Sequence, residues 1–162
     1  MGINCNLHAV DSQAAEEMAR NPRAGITNLS RIRRSGCDIH KAWHAIHWVL
    51  TGTADGGEEP NCYLLQGGVV LGPPMRDEDN PRLLTPDQVR AFDTVLQPIN
   101  RVSELRDRFD HEAMVEAGVY SMNEGEDETE EDLEFTAEFF RILRKFIHQS
   151  AQAGQGVIIQ IG

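Results

Sequence analysis

The chain has 162 residues, 40% of them hydrophobic and 25% charged, the composition of one ordinary globular domain. A chain of this length buries enough apolar surface to hold a core without a disulfide or metal staple, which excludes disulfide scaffolds, collagen-like chains and a wholly disordered one. With 26 Asp and Glu against 15 Lys and Arg, the formal charge of −11 argues against general affinity for nucleic acid or a membrane surface and suits a basic protein partner.

Aliphatic runs such as Val69-Val70-Leu71 are far too short to span a bilayer, and the start MGINCNLHAV lacks a basic segment followed by an apolar one. Gly2 is followed at position 6 by Asn6, where myristoylation requires Ser or Thr. Cys5, Cys37 and Cys62 are odd in number and lack metal-type spacing, so a reducing cytoplasm is expected. The charge is unevenly spread: residues 1–54 carry +2 and the remainder −13. The local basic cluster, Arg31, Arg33 and Arg34 with Arg20 and Arg23 upstream, has no interleaved aromatics and reads as a solvated loop.

In chain order, Ile3, Cys5, Leu7 and Ala9 alternate with Asn4, Asn6 and His8, the period of a strand with one buried face. Asp11 or Ser12 caps a helix that turns Ala14, Ala15 and Met18 inward and ends before Asn21-Pro22. The stretch to Gly36 is polar and irregular. A second helix is predicted from Asp38, as its cap, to Thr51, with Gly52 closing it in the left-handed conformation. Ile39, Trp43, Ile46 and Leu50 form its core stripe.

Residues 53–61 read as a loop. Cys62–Gln66 and Val69–Leu71, joined by Gly67-Gly68, read as a hairpin. After a second, acidic loop, Thr85-Pro86-Asp87-Gln88 is the strongest helix start in the chain, with Thr as cap, Pro in the first helical position and Gln able to reach back. Ser103 and Asp110 are expected to cap two shorter helices. Eight of the eleven residues 124–134 are acidic. Leu133, Ala137, Phe140, Leu143, Ile147 and Ala151 then mark a helix from about Asp127 to Ala153, widened by Phe139, Ile142 and Phe146 and so packed on more than one neighbour. Gly154 and Gly156 end it before a β-branched strand, Val157–Ile161. The fold expected is a single α+β domain over residues 1–162, a small mixed sheet holding both terminal strands and packed by several helices, the last one long.

Three constellations bear on function. His40, His44 and His47 fall at i, i+4 and i+7, within about 60° of one another on a helix. A metal site on these three is the weaker alternative, because the glutamate of the metalloprotease pattern is replaced by Lys41; without it no cofactor is expected. Trp43, His47, Trp48 and Thr51, at a helix end opening into Thr51-Gly52-Thr53, are candidate ligand-binding residues. For His47 we favour a structural role, buried and hydrogen-bonded, over a functional one. Cys37, read at a helix start, is a minor nucleophile candidate. The acidic run lacks calcium-loop spacing, and no nucleophile elbow, phosphate loop or dinucleotide fingerprint occurs.

Asp38-Ile39, Lys41, Trp43, His47 and Leu50-Thr51-Gly52, with Gly67-Gly68, Leu84-Thr85-Pro86 and the Tyr120 region, resemble the YfbM-like family of bacterial proteins of unknown function over nearly the whole chain. The resemblance implies a compact α+β domain without an assigned reaction. It supports His47 among the three histidines, and it implies a proline after the tyrosine, where this chain has Ser121. Two function classes stand. The preferred one is a non-enzymatic binding or protein-interaction module with a basic protein partner. The alternative is a small-molecule-binding protein or enzyme with a pocket around His47 and the Thr51-Gly52-Thr53 loop.

Overall fold

The last strand of the chain lies at the centre of its sheet. In the computed structural model, which describes residues 2–24, 36–73, 80–122, 125 and 128–162, the strands are β1 (Cys5–Val10), β2 (Gly36–Asp38), β3 (Val69–Val70), β4 (Arg82–Leu84) and β5 (Gly156–Ile161), in the order β2-β1-β5-β4-β3. The helices are α1 (Ser12–Arg20), α2 (Trp43–Thr51), α3 (Pro86–Leu96), α4 (Val102–Arg108), α5 (His111–Glu116) and α6 (Glu128–Gln152). Strands and helices alternate irregularly around one sheet, an α+β arrangement. The arginine cluster at 31, 33 and 34 lies outside the described residues.

Successive residues of a strand point to opposite faces, and β5 uses both. Val157 and Ile159 join Cys5, Leu7 and Leu84 in the main core under α2, α3 and α6, while Ile158 joins Val10, Ala15, Met18, Leu71 and Leu83 beneath α1. Burial on both faces explains why Val157-Ile158-Ile159 reads as an unbroken β-branched run. The sheet was expected to be mixed; every observed pairing is antiparallel. A single crossover helix would have made β4 and β5 parallel neighbours. Four helices separate them instead, and the chain re-enters the sheet from the opposite end.

Most helix signals act where the sequence placed them. The Asp11 carboxylate accepts from the Ala14 N–H at 2.7 Å, Thr85 and Gln88 form the complete capping box, and the Asp110 carboxylate accepts from the Ala113 N–H at 3.1 Å. Gly52 ends α2 at φ 74°. α6 buries Leu133, Phe140, Leu143, Ile147 and Ala151 and packs on α3, α4 and β5. In its second row Phe139 and Phe146 are half-buried, and Ile142 stays exposed.

Three expectations are corrected. Asp38 does not cap a helix: it ends β2, and its carboxylate accepts from the His40 N–H at 2.7 Å to turn the chain into a short 3-10 segment, His40–Ala42, before α2 begins. Ser103 lies inside α4, where the Glu104 carboxylate takes the capping role by accepting from the N–H groups of Asn100 and Arg101. The Cys62–Gln66 hairpin arm is a helical turn, with Gln66 N–H bonded to the Cys62 carbonyl at 2.8 Å. Cys62, Tyr63 and Leu64 are buried consecutively, a run whose period cannot distinguish strand from helix. Val69-Val70 therefore pairs with β4 rather than with this turn. Gly68, at φ 77°, makes the turn into β3, and a side chain there would press into the Leu83 carbonyl at 2.4 Å.

Candidate functional site

Arg82 opens β4, and its side chain reaches back over the 62–66 turn. Its Nη1 donates to the carbonyl oxygens of Tyr63 and Gly67, both at 3.0 Å, and its Nη2 donates to that of Leu64 at 2.7 Å. These are the acceptors that a hairpin ladder would have used. One guanidinium thus organises a turn whose backbone the sheet leaves unpaired. Among the described residues, no carboxylate lies within ion-pair distance of it. Burial pushes its pKa down to about 10, so it remains a cation at neutral pH.

Arg82 lines a cavity of about 540 Å³ bounded by the end of β5, the start of α2 and the loops around Asp55 and Gln66. Trp43, Leu65, Ile159 and Ile161 supply apolar wall, and Asp55, Gln66, Asn80 and Arg82 the polar groups. Asn80 is buried and Arg82 half-buried, whereas Asp55 and Gln66 are exposed and stand at the mouth. The Asn80 amide donates to the Pro73 carbonyl at 3.1 Å, which fixes its orientation. A cavity of this size, mostly apolar with a few convergent polar groups, has the character of a small-molecule site.

Of the residues expected to bind a ligand, Trp43 lines this cavity; its indole Nε1 donates to the Ile3 carbonyl at 3.0 Å, and its ring stacks with His44 and Tyr120. Trp48 is half-buried and packs against the main core. The Thr51 hydroxyl donates inward to the His47 carbonyl at 2.8 Å and accepts from the Thr53 N–H at 3.3 Å. Neither lines the cavity, which opens beyond Thr53, at Asp55.

His47 is fully buried, as the structural reading expects, but neither ring nitrogen has a hydrogen-bond partner; the Gly56 backbone approaches without reaching hydrogen-bond geometry. Burial and, secondarily, neighbouring His44 push its pKa down to about 4 against the opposing pull of Asp55, so the ring is neutral. The three histidines do not converge. His40 is exposed beside Asp38 and Phe139. His44 has Nε2 at 2.8 Å from the Ala54 carbonyl, while its Nδ1 accepts from the Tyr120 N–H at 2.8 Å. Among the described residues no group of three His, Cys, Asp or Glu side chains is placed to hold a metal ion.

Cys37 sits in β2 rather than at a helix start, and burial with Asp38 beside it pushes its thiol up to about 12, away from nucleophilic character. Cys5 and Cys62 are likewise raised by burial. A second groove of about 370 Å³ between α4 and α6 carries Arg101, Arg141 and Arg144 among Glu134 and Glu138, but Arg144 is engaged by the Gln97 carbonyl at 2.7 Å. Sequence reasoning missed Arg82, Asn80, Asp55 and Gln66. Three-residue β4 is too short to show a period, and these four residues meet only through the turn that Arg82 itself ties down.

The comparisons follow the fold. No curated protein matches the chain. Among solved structures, the chain is similar to the crystal structure of YfbM from Escherichia coli, a protein of unknown function, at 19% identity and a TM-score of 0.71, covering 98% of this chain and 99% of that one. At that identity the likeness shows the fold alone. The model of a domain of unknown function, DUF1877, matches residues 1–160, and the chain therefore belongs to the DUF1877 family.

Proposed function

We propose that this domain is a non-enzymatic binding module that takes a small molecule into the cavity beneath Trp43. The observation that carries the reading is Arg82, a half-buried cation without an acidic partner among the described residues, on the wall of a cavity of about 540 Å³. A partly buried charge held only by backbone carbonyls is unfinished electrostatically, and a ligand completes it. Catalysis is less well supported: the thiols are raised by burial, and His47 is neutral and enclosed. The notional pocket at Thr51-Gly52-Thr53 shifts by this reading to Asp55 and Arg82, with Trp43 as the shared wall.

The reading is tested by a heteronuclear NMR titration with a library of small fragments spanning acids, amides and amines. Shifts that converge on Asp55, Asn80, Arg82 and Ile159 are expected. Hits scattered over the surface, or none, would reject it.

A second reading, recognition of a basic protein partner, is favoured by one observation. Glu130, Glu131, Glu134 and Glu138 of α6 are exposed, and among the described residues only Glu130 is paired, with Arg106. Such binding is expected to weaken steeply with salt, unlike the cavity, so a pull-down at low and high ionic strength separates the two. No described helix is long and apolar enough to cross a membrane. Three free cysteines fit the reducing cytoplasm that both readings assume.

A further inference from the structure

Building on the reading that the cavity holds a small molecule, we propose that its ligand is a monocarboxylate with an apolar body, the carboxylate at Arg82 and the body against Trp43, Leu65 and Ile159.

A guanidinium carries five N–H donors. The carbonyls of Tyr63, Gly67 and Leu64 take three, which leaves Nε–H and one Nη2–H, and holds the planar group in place. A carboxylate is the small acceptor that matches two donors of a fixed guanidinium in parallel. Asn80 lines the same cavity, and its amide has one N–H beyond the bond to Pro73, a further donor in the wall.

Charge count then limits the ligand. Arg82 is the one Lys or Arg among the described residues that line the cavity, and Asp55 stands exposed at the mouth. A phosphate ester or a dicarboxylate would bring a second negative charge that no other described lining residue neutralises and that Asp55 repels. A single carboxylate places its one charge against Arg82 in the wall, away from Asp55 at the solvent-exposed mouth. A neutral ligand would leave the cation as unpaired as before. Trp43, Leu65, Ile159 and Ile161 offer no donor, since the indole N–H is already given to Ile3, and the Gln66 amide stands exposed at the mouth, so the part of the ligand that lies against this wall is apolar.

The test uses hexanoate, hexanamide, adipate and hexylamine as probes of matched length against the full chain, read by tryptophan fluorescence and by the amide shifts of Asn80 and Ile159. Hexanoate is expected to bind at least about tenfold tighter than hexanamide, a difference of about 1.4 kcal/mol. Adipate is expected to bind more weakly than hexanoate and to recover in Asp55→Asn, a substitution at an exposed side chain. Arg82→Lys is expected to lose most of the preference for hexanoate over hexanamide. Because it also loosens the 62–66 turn, it counts only with a native amide spectrum, and the comparison of probes on the wild-type chain stands without it. Hexanamide or hexylamine binding at the cavity as tightly as hexanoate would overturn the carboxylate while leaving the cavity reading intact. If fragments occupy the cavity but none of the four probes does, only this inference falls; if nothing of any charge occupies it, both fall.

Discussion

The backbone N–H of Tyr120 donates to Nδ1 of His44 at 2.8 Å, so Nε2 of the same ring must carry the proton it shares with the Ala54 carbonyl, also at 2.8 Å. One neutral imidazole therefore clamps the loop after α5 to the loop at the mouth of the cavity. His44→Ala is expected to cost about 1–3 kcal/mol, seen as a lower midpoint in urea denaturation. Because both nitrogens are engaged, zinc is expected to leave the thermal midpoint unchanged. A zinc-dependent rise would restore the three-histidine site.

His47 links stability to pH. Its folded-state pKa of about 4 lies below the ordinary 6.5, so between these values the unfolded chain binds a proton that the folded chain refuses. The contribution is complete above pH 6.5 and is lost as pH falls toward 4, by up to about 3 kcal/mol. Denaturation midpoints measured from pH 7 to pH 4 in wild type and His47→Leu check this: the wild type should fall more steeply. With two unsatisfied nitrogens removed, His47→Leu is also expected to be at least as stable as wild type at pH 7, whereas His47→Ala leaves a void and loses stability.

Phe140 is 2% exposed and lies among the helices that α6 brings together over the sheet. Truncating it to Ala is expected to cost about 3–5 kcal/mol. An unchanged denaturation midpoint would show that α6 does not pack there as described.

Ser121 has φ 64°, in the left-handed region, and its hydroxyl donates to the Lys41 carbonyl at 3.3 Å. Proline holds φ near −65°, so this loop cannot accept the proline that the family resemblance implies without rebuilding. Ser121→Pro is expected to destabilise by more than about 1 kcal/mol, and Ser121→Gly to be tolerated, in thermal melts of both variants.

Removing the Arg82 fork leaves the carbonyls of Tyr63, Leu64 and Gly67 without their donor. Arg82→Gln is expected to raise amide exchange across residues 62–68 well before global unfolding, as hydrogen exchange followed by mass spectrometry would show. Uniform exchange with the wild type would mean that the turn holds itself.

What could be read from sequence was what is decided locally. Thr85-Pro86-Asp87-Gln88 contains all the atoms of its capping box, Asp110 needs only the amide three residues on, and the stripe through Phe140 and Leu143 repeats over about five turns of one helix. What failed was decided at a distance. Cys62-Tyr63-Leu64 is apolar in any conformation, and only Arg82, some twenty positions later, selects the turn. Ser103 was outcompeted by the longer reach of Glu104. The candidate site was legible at Trp43 alone, because its other polar members come from segments that no spacing connects.

The pairing of Cys5 with Ile161 has a kinetic consequence. β1 finds its main partner only in the last described strand, so the centre of the sheet closes one of the longest loops the chain can form, and that entropy is lost before the strand contacts repay it. Helices α1 and α3, each capped by its own residues, form from local information, whereas β1 and β4 must wait with open edges for β5 to arrive between them. Refolding is therefore expected to be limited by that insertion and to grow sensitive to protein concentration, since an unpaired edge accepts a strand from a neighbouring molecule as readily as its own.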